Sequence, residues 1–523
     1  MRAALLLAGL VLAAAGAPPP AAPGDPDAQA VRASVRSYRQ AHELEILRGL
    51  ADLLAIPNVA SDSVNIERNA EAIVRAYGKR GVRMELLRVP GSPPVVYGER
   101  LAPGAKRTVV FYAHYDGQPV RPSDWAGDPW KPVLRDGPLR EGGKEIPWSG
   151  LSAPLSPDWR LYGRSASDDK APIIGLLAAL DALAAAGRPP SVNLKFFFEG
   201  EEEAGSPHLA SLLSENADRL RGDLWLLFDG PVHQTRRLQI YFGARGVTGV
   251  NLTVYGPTRR LHSGHYGNWA VNPVAELVKL LATMRDDEGR ILVAGFSDDV
   301  RPPTSAEKKA LDAAPPVDEE LRKSLLLGRT EGEGARLLDQ LLLPALNLRG
   351  IAGGAVGPNT TNSIPTEAVA SIDFRLVPNQ TPAKVRERIE EHVRRQGFAI
   401  VAEEPSAETR LGHPRIAKLV WGAGYPPSRT DMDLPASRAV IRTVEEDRGE
   451  PVVKLPTLGG SIPMYLFAEI LRTPVVGVPI ANHDNDQHAA NENLRLRNLW
   501  DGIEVYGALM ARLGLVWEAE ARP

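Results

Sequence analysis

Apolar residues recur at three- and four-residue spacing through HELEILRGLADLLAIP, a period that marks an amphipathic helix. The pattern suggests helices over most of residues 31–90. The run TVVFYAHYD changes the period: β-branched and aromatic residues follow one another until charge stops them, so residues 108–113 read as a buried strand. Residues 117–156 are rich in Pro, Gly and Trp, with little period, and read as a long surface loop. DDKAPIIGLLAALDALAAAG predicts a helix stopped at Gly187, and SVNLKFFFEGEEE and DLWLLFDG predict two further strands. Strand, helix, strand, helix in this order implies an α/β layered domain, in which ligands collect at the carboxyl ends of strands. All three strands end in charged residues.

After Gly246 the pattern switches. GVTGVNLTVYG and AVASIDFRLVP alternate apolar and polar residues, as half-exposed antiparallel strands do, and NPVAELVKLLATMRDD and EGARLLDQLLLPAL between them read as helices. A separate smaller α+β domain is therefore expected over residues 243–424. Buried strands and helices then return, TPVVGVPI among them, ending near Leu513. The expected division is a leader at 1–30, a main domain in two parts at 31–242 and 425–523, and the smaller domain between them.

Composition narrows the chemistry. The 523 residues carry a formal charge of -3, which implies no general attraction to nucleic acid or to an anionic membrane. There is no cysteine, so disulfides, cysteine nucleophiles, thiolate zinc sites, iron–sulfur clusters and a lipid-modified N-terminus are excluded, and any metal must be held by His, Asp and Glu. Residues 3–17 form a short apolar run after one Arg, followed by Pro-rich and small residues. This is the layout of a secretory signal peptide, with Ala13-Ala14-Ala15 and Ala28-Gln29-Ala30 as small-x-small cleavage points. The run is shorter than the roughly 20 residues of a membrane span, so an exported protein, periplasmic or secreted, is expected.

The charged strand ends hold the candidate chemistry. AHYDGQP supplies His114 and Asp116, two residues apart and hence on one face of a strand, with Asp116 placed to hold the second ring nitrogen of a metal-binding His114. GRSASDDKA places Asp168 and Asp169 before the long helix, where a helix cap is the plainer reading for Asp169. In FFFEGEEEAGS, three phenylalanines run into Glu199, Glu201, Glu202 and Glu203, one of which could bind metal while a neighbour acts as general base. LLFDGP ends in Asp229, and NHDNDQHAANE holds His483 and His488. Imidazole and carboxylate sites of this make-up suit zinc, manganese or cobalt, and two metals about 3.5–4 Å apart under a bridging carboxylate form a hydrolytic arrangement.

The order of these motifs resembles the zinc-dependent exopeptidase family of carnosinase-type dipeptidases, glutamate carboxypeptidase and aminoacylases, peptidase family M20, from about residue 40 to the C-terminus. The resemblance implies a catalytic domain with a mixed central sheet flanked by helices, and an inserted α+β lid and dimerisation domain. It also implies two divalent metal ions: His114, Asp168 and Asp229 on one, Asp168, Glu203 and His488 on the other, with Asp168 bridging. Glu202 matches the general base, and Asp116 the residue that orients the first His. LHSGHYGNWAVNP places His262 as a stabiliser of the oxyanion, often supplied across a homodimer. NSIP places Asn362, IDFRLVP places Arg375, and GGSIP places Gly460 and Ser461 at the substrate, with Arg375 on a carboxylate. The chain departs from the family pattern at Ser165 and Ala171, where Gly is common, and at Leu458, where dipeptidase relatives often carry an acid. The expected activity is removal of one residue from a dipeptide or short peptide with a free C-terminus. An N-acyl amino acid deacylase is the alternative, and a non-catalytic metal-binding module a remote one.

Overall fold

Three consecutive phenylalanines can all be buried only where both faces of their strand are covered. In the computed structural model, which describes residues 25–517, Phe196 and Phe198 pack on Tyr77 while Phe197 packs on Trp225 and Phe467 across the sheet. Burial of each ring contributes about 1.5–3 kcal/mol, so the strand end beneath the glutamate run is firmly seated. The expected export signal falls mainly on residues 1–24, outside the described residues. Residues 26–30 of the expected leader belong to the helix Pro26–Ala41, in which Ala28 is buried.

The sheet around these phenylalanines has eight strands in the order Arg83–Leu87, Val95–Arg100, Asn193–Glu199, Thr108–His114, Leu224–Leu227, Val475–Gly477, Gln239–Tyr241 and Val453–Leu455. It is mixed: the four strands from Asn193–Glu199 to Val475–Gly477 are parallel, and the pairings at Arg83–Leu87 and Val95–Arg100 are antiparallel. Helices cover both faces. Lys170–Ala185 is apolar except for Lys170 and Asp181, because it lies between the sheet and the helix Leu496–Val516. A second sheet draws its five strands from residues 246–421, in the order Ala345–Ala352, Glu367–Leu376, Gly246–Tyr255, Ile416–Trp421 and Ala399–Val401. One face of Gly246–Tyr255 is buried, as its alternation required, against the helices Pro273–Ala282 and Pro382–Arg395.

Three expectations needed correction. The helical reading of residues 31–90 holds to Gly78, after which Arg83–Leu87 is an edge strand of the main sheet. Residues 117–156 are not all loop: Val133–Arg135 and Glu145–Ile146 join Arg160–Tyr162 and Asn493–Arg495 in a small antiparallel sheet. Strands of two or three residues are too short for a period to register. In EGARLLDQLLLPAL only Leu337–Gln340 is helical. Its leucines do not form a helix stripe: Leu338 packs against the core of the main sheet, and the strand Ala345–Ala352 begins directly after Pro344.

Candidate metal centre

The parallel neighbours Asn193–Glu199, Thr108–His114 and Leu224–Leu227 deliver their carboxyl ends to one edge of the sheet. His114 lies level with Glu199, and Tyr112 with Leu227, so two more residues bring Asp229 level with His114. The turn before Lys170–Ala185 brings Asp168 over the same edge: His114 Nε2 lies 2.9 Å from Asp168 Oδ1. The loop after Val475–Gly477 brings His488, whose Nε2 lies 3.1 Å from Asp168 Oδ2 and 3.2 Å from Glu203 Oε2. Two trios result, His114–Asp168–Asp229 and Asp168–Glu203–His488, each with its ligand-type atoms within 4.8 Å of one another. Asp168 belongs to both.

Asp116 does more than its strand position suggested. It lies beyond the strand, fully buried, with its Oδ1 3.4 Å from His114 Nδ1. Its two carboxylate oxygens also accept the backbone N–H groups of Glu202 (3.0 Å) and Glu203 (2.9 Å). One carboxylate thus registers the glutamate turn against the histidine. Asp169 caps the helix start without a side-chain cap bond; its Oδ2 accepts the His114 N–H at 3.3 Å. Glu199 accepts the Tyr112 hydroxyl, and Glu201 pairs with His208, so neither enters a trio. His483 is exposed and also outside both trios.

The electrostatics of the site follow from burial and crowded charge. Burial, then the charge of Asp168, pushes Glu203 up to about 7 and Asp229 up to about 6. Burial and the neighbouring Asp229, Glu203 and Asp116 hold Glu202 well above the ordinary carboxylate range. Asp168 goes the other way: burial opposes its ionisation, but hydrogen bonds from His114 and His488 hold it below its ordinary value. The hydrogen bond to Asp168 is the largest cause raising His488, to about 9. Crowded, buried carboxylates beside two imidazoles are a donor set that suits two divalent cations, whose charge would replace these protons. The Glu202 carboxylate takes no hydrogen bond from any described residue, and it lines the cavity beside the trios.

That cavity, about 490 Å³, is bounded by Asp168, Glu202, Glu203, Asp229 and His488 on one side and by Tyr425, Leu458, Gly460, Ser461, Ile462 and Pro463 on the other. Arg375 reaches its rim through Nη1, 2.7 Å from Ser461 Oγ, while its Nε is held by Asp373 at 3.1 Å. The structure does not bring His262 and Asn362 to this cavity. They meet one another instead: the Ser263 N–H donates to the Asn362 carbonyl at 2.9 Å, and His262 is exposed with its ring 4.4 Å from that of His265.

A profile of the peptidase family M20/M25/M40 matches residues 110–512. The chain belongs to this family. It is a peptide-bond hydrolase by that membership. Over 491 residues it is 27% identical to the Cys-Gly metallodipeptidase dug1 of Schizosaccharomyces pombe, covering 90% of this chain and 96% of that protein. It is 28% identical over 430 residues to the Beta-Ala-His dipeptidase of Homo sapiens, covering 80% and 78%. The crystal structure of the M20 family metallo-carboxypeptidase Sso-CP2 from Sulfolobus solfataricus matches with a TM-score of 0.73 at 28% identity, covering 90% of this chain and 99% of that one.

The departure at Ser165 has a visible setting. Its φ is 62°, in the left-handed region that glycine occupies freely. The serine is held there by its own bonds: Oγ accepts from Asn58 Nδ2 at 2.9 Å, and its N–H donates to Glu492 Oε2 at 2.9 Å. Sequence reading passed over three residues that the structure joins to the trios. Gln118 Nε2 donates to Glu203 Oε2 at 2.7 Å, and Gln487 Nε2 to Asp168 Oδ2 at 3.2 Å. The third is Glu492, the last residue of the NHDNDQHAANE stretch.

Proposed function

We propose that the protein is a two-metal dipeptidase that cleaves dipeptides or short peptides bearing a free C-terminal carboxylate. The observation that carries this reading is the pair of trios sharing Asp168, with the Glu202 carboxylate, which takes no hydrogen bond among the described residues, beside them in one cavity. His114, Asp168 and Asp229 would hold one cation and Asp168, Glu203 and His488 the other, most readily zinc, with manganese or cobalt suited to the same donors. Bound there, the cations supply Lewis acidity that makes a water acidic near neutral pH and polarises a carbonyl.

Glu202 takes the proton of the attacking water and passes it to the leaving amine; its half-buried carboxyl, raised in proton affinity, is suited to both steps. Asp116 keeps Glu202 and Glu203 in register through their N–H groups. Arg375, with Ser461 and Gly460 beside it, takes the substrate carboxylate through charge-assisted hydrogen bonds. His262 and Asn362 serve the cavity of a second copy in a homodimer, His262 donating to the oxyanion. Support for a dimer comes from the unpaired outer edge of Ala345–Ala352, with exposed Leu348 and Ile351 and, on the same smaller unit, exposed Trp269, Val271 and Val278. The N-terminal apolar run supports export. The division at residues 243–424 as a lid unit is part of the same reading.

Metal content of the purified protein, measured beside hydrolysis of a dipeptide panel and of N-acyl amino acids, tests it. About two metals per chain with turnover of free dipeptides is the expected result. Turnover confined to N-acyl amino acids would replace the peptidase by a deacylase. Bound metal without turnover of either class would leave only a non-catalytic metal-binding module.

A further inference from the structure

Glu492 is fully buried, and nothing in its sequence setting marks it as chemical. Yet its carboxylate accepts five hydrogen bonds. Oε1 takes the N–H and the hydroxyl of Ser167, both at 2.9 Å, and the N–H of Asp168 at 3.0 Å. Oε2 takes the Ser165 N–H and Arg164 Nη1, each at 2.9 Å. Its own carbonyl accepts the Gly163 N–H at 3.1 Å, and Arg164 Nη2 donates to the Ala489 carbonyl at 3.1 Å. The turn at 163–168 is therefore fastened at several points to the loop at 488–492. Asp168 ends the first of these segments and His488 begins the second.

We propose that Glu492 is a positioning residue for the metal centre: it holds the backbone of Asp168, the carboxylate shared by both trios, in register with the loop that carries His488. This rests on the metal reading of Asp168 and His488 given above. The geometry calls for two acceptor oxygens here. Five donors converge on two oxygens, and every one of them is an N–H or O–H, so an acceptor on both sides of the group is needed. A carboxamide offers one oxygen only, and its NH₂ would face either two donors or three. The consequence falls on Asp168 because its own N–H is among the five and its side chain leaves the same residue. Residues that orient metal ligands without touching the metal change metal affinity or activity by about 10–100-fold when replaced.

The test uses the full-length protein with zinc or manganese alone as the probe. Apparent metal Kd is measured by chelator competition, kcat and KM on a dipeptide at saturating metal, and melting temperature in excess chelator. Glu492→Gln should weaken metal binding by about 10–100-fold and lower kcat with little change in KM. Ser167→Ala removes one of the five bonds and leaves the backbone clamp; it should shift metal Kd in the same direction by a smaller factor, and it carries the test if Glu492→Gln does not fold. Glu492→Asp, which keeps both acceptors on a shorter arm, should recover part of the affinity. Lower melting temperature in chelator for Glu492→Gln or Ser167→Ala, with metal Kd and kcat at wild-type values, would overturn the proposal and leave Glu492 a purely structural residue. Wild-type protein that takes up no metal would instead sink the metal reading itself, whatever the variants do.

Discussion

Replacing Asp116 by Asn probes the link between His114 and the glutamate turn. The aspartate is fully buried and accepts two backbone N–H groups, from Glu202 at 3.0 Å and Glu203 at 2.9 Å. Asparagine keeps the shape but has one oxygen, so it can serve one of these donors while its NH₂ confronts the other. A buried donor left unsatisfied costs about 1–3 kcal/mol. The turn will relieve that cost by moving, and Glu202 and Glu203 ride on it. A displacement near 1 Å at a group that acts on the reacting atoms costs on the order of 100-fold in rate. Asp116→Asn should therefore lower kcat on a dipeptide about 100-fold at saturating metal and lower the melting temperature by a few degrees, while KM changes little because the rim at Arg375 and Ser461, proposed above to take the substrate carboxylate, is untouched. Steady-state kinetics with metal content measured on the same sample checks it. Activity within about twofold of wild type, with full metal, would refute the reasoning: the turn would then be held by something other than Asp116.

Glu202→Gln should leave metal content unchanged and reduce kcat by about 10²–10⁴-fold, the usual worth of a general base; survival of activity would remove Glu202 from that role. Arg375→Ala should raise KM for free dipeptides and barely affect C-terminally amidated ones, and an equal loss on both would show that Arg375 does not read the carboxylate. The raised carboxyls give a pH prediction for the metal-free protein. Burial first, and the charge of Asp168 second, lift Glu203 to about 7 and Asp229 to about 6. A carboxyl raised on folding contributes stability that is full below its unfolded value and is lost as pH climbs through the folded one. Metal binding needs the same groups ionised, and His488, raised to about 9, must also give up its proton. The gain in melting temperature on adding zinc should accordingly be larger at pH 8 than at pH 5.5, read by thermal melts with and without chelator. An equal gain at both values would mean that these groups do not exchange protons for metal.

Much of the central architecture was legible in one dimension because its signals are local. Residues 108–113, 193–199 and 224–227 each combine an apolar run with an abrupt polar end, and the helix Lys170–Ala185 is apolar except for Lys170 and Asp181. Short strands escaped: Val133–Arg135 and Glu145–Ile146 are stabilised by partners far along the chain, which a local period cannot reveal. The leucines of EGARLLDQLLLPAL match a helical reading, yet only Leu337–Gln340 is helical, because burial partners such as the core of the main sheet around Leu338 lie in another part of the molecule.

The sequence by itself determined which side chains were available for chemistry. With no cysteine, only imidazoles and carboxylates could hold a metal, and their placement at strand ends named His114, Asp168, Glu203, Asp229 and His488 as candidates. Tertiary structure alone decided how they meet. Parallel pairing aligned three strand ends at one edge, the loop at 488–492 crossed to the turn at 163–168, and Asp168 fell within reach of both histidines. It also separated His262 and Asn362 from that cavity and gave Asp116 and Glu492 their hydrogen-bond partners. The physical reason is the same in each case. A hydrogen bond or an electrostatic pair depends on distance and direction in space, and for residues from 54 to 324 positions apart those are set by strand pairing and core packing, not by neighbours in the chain.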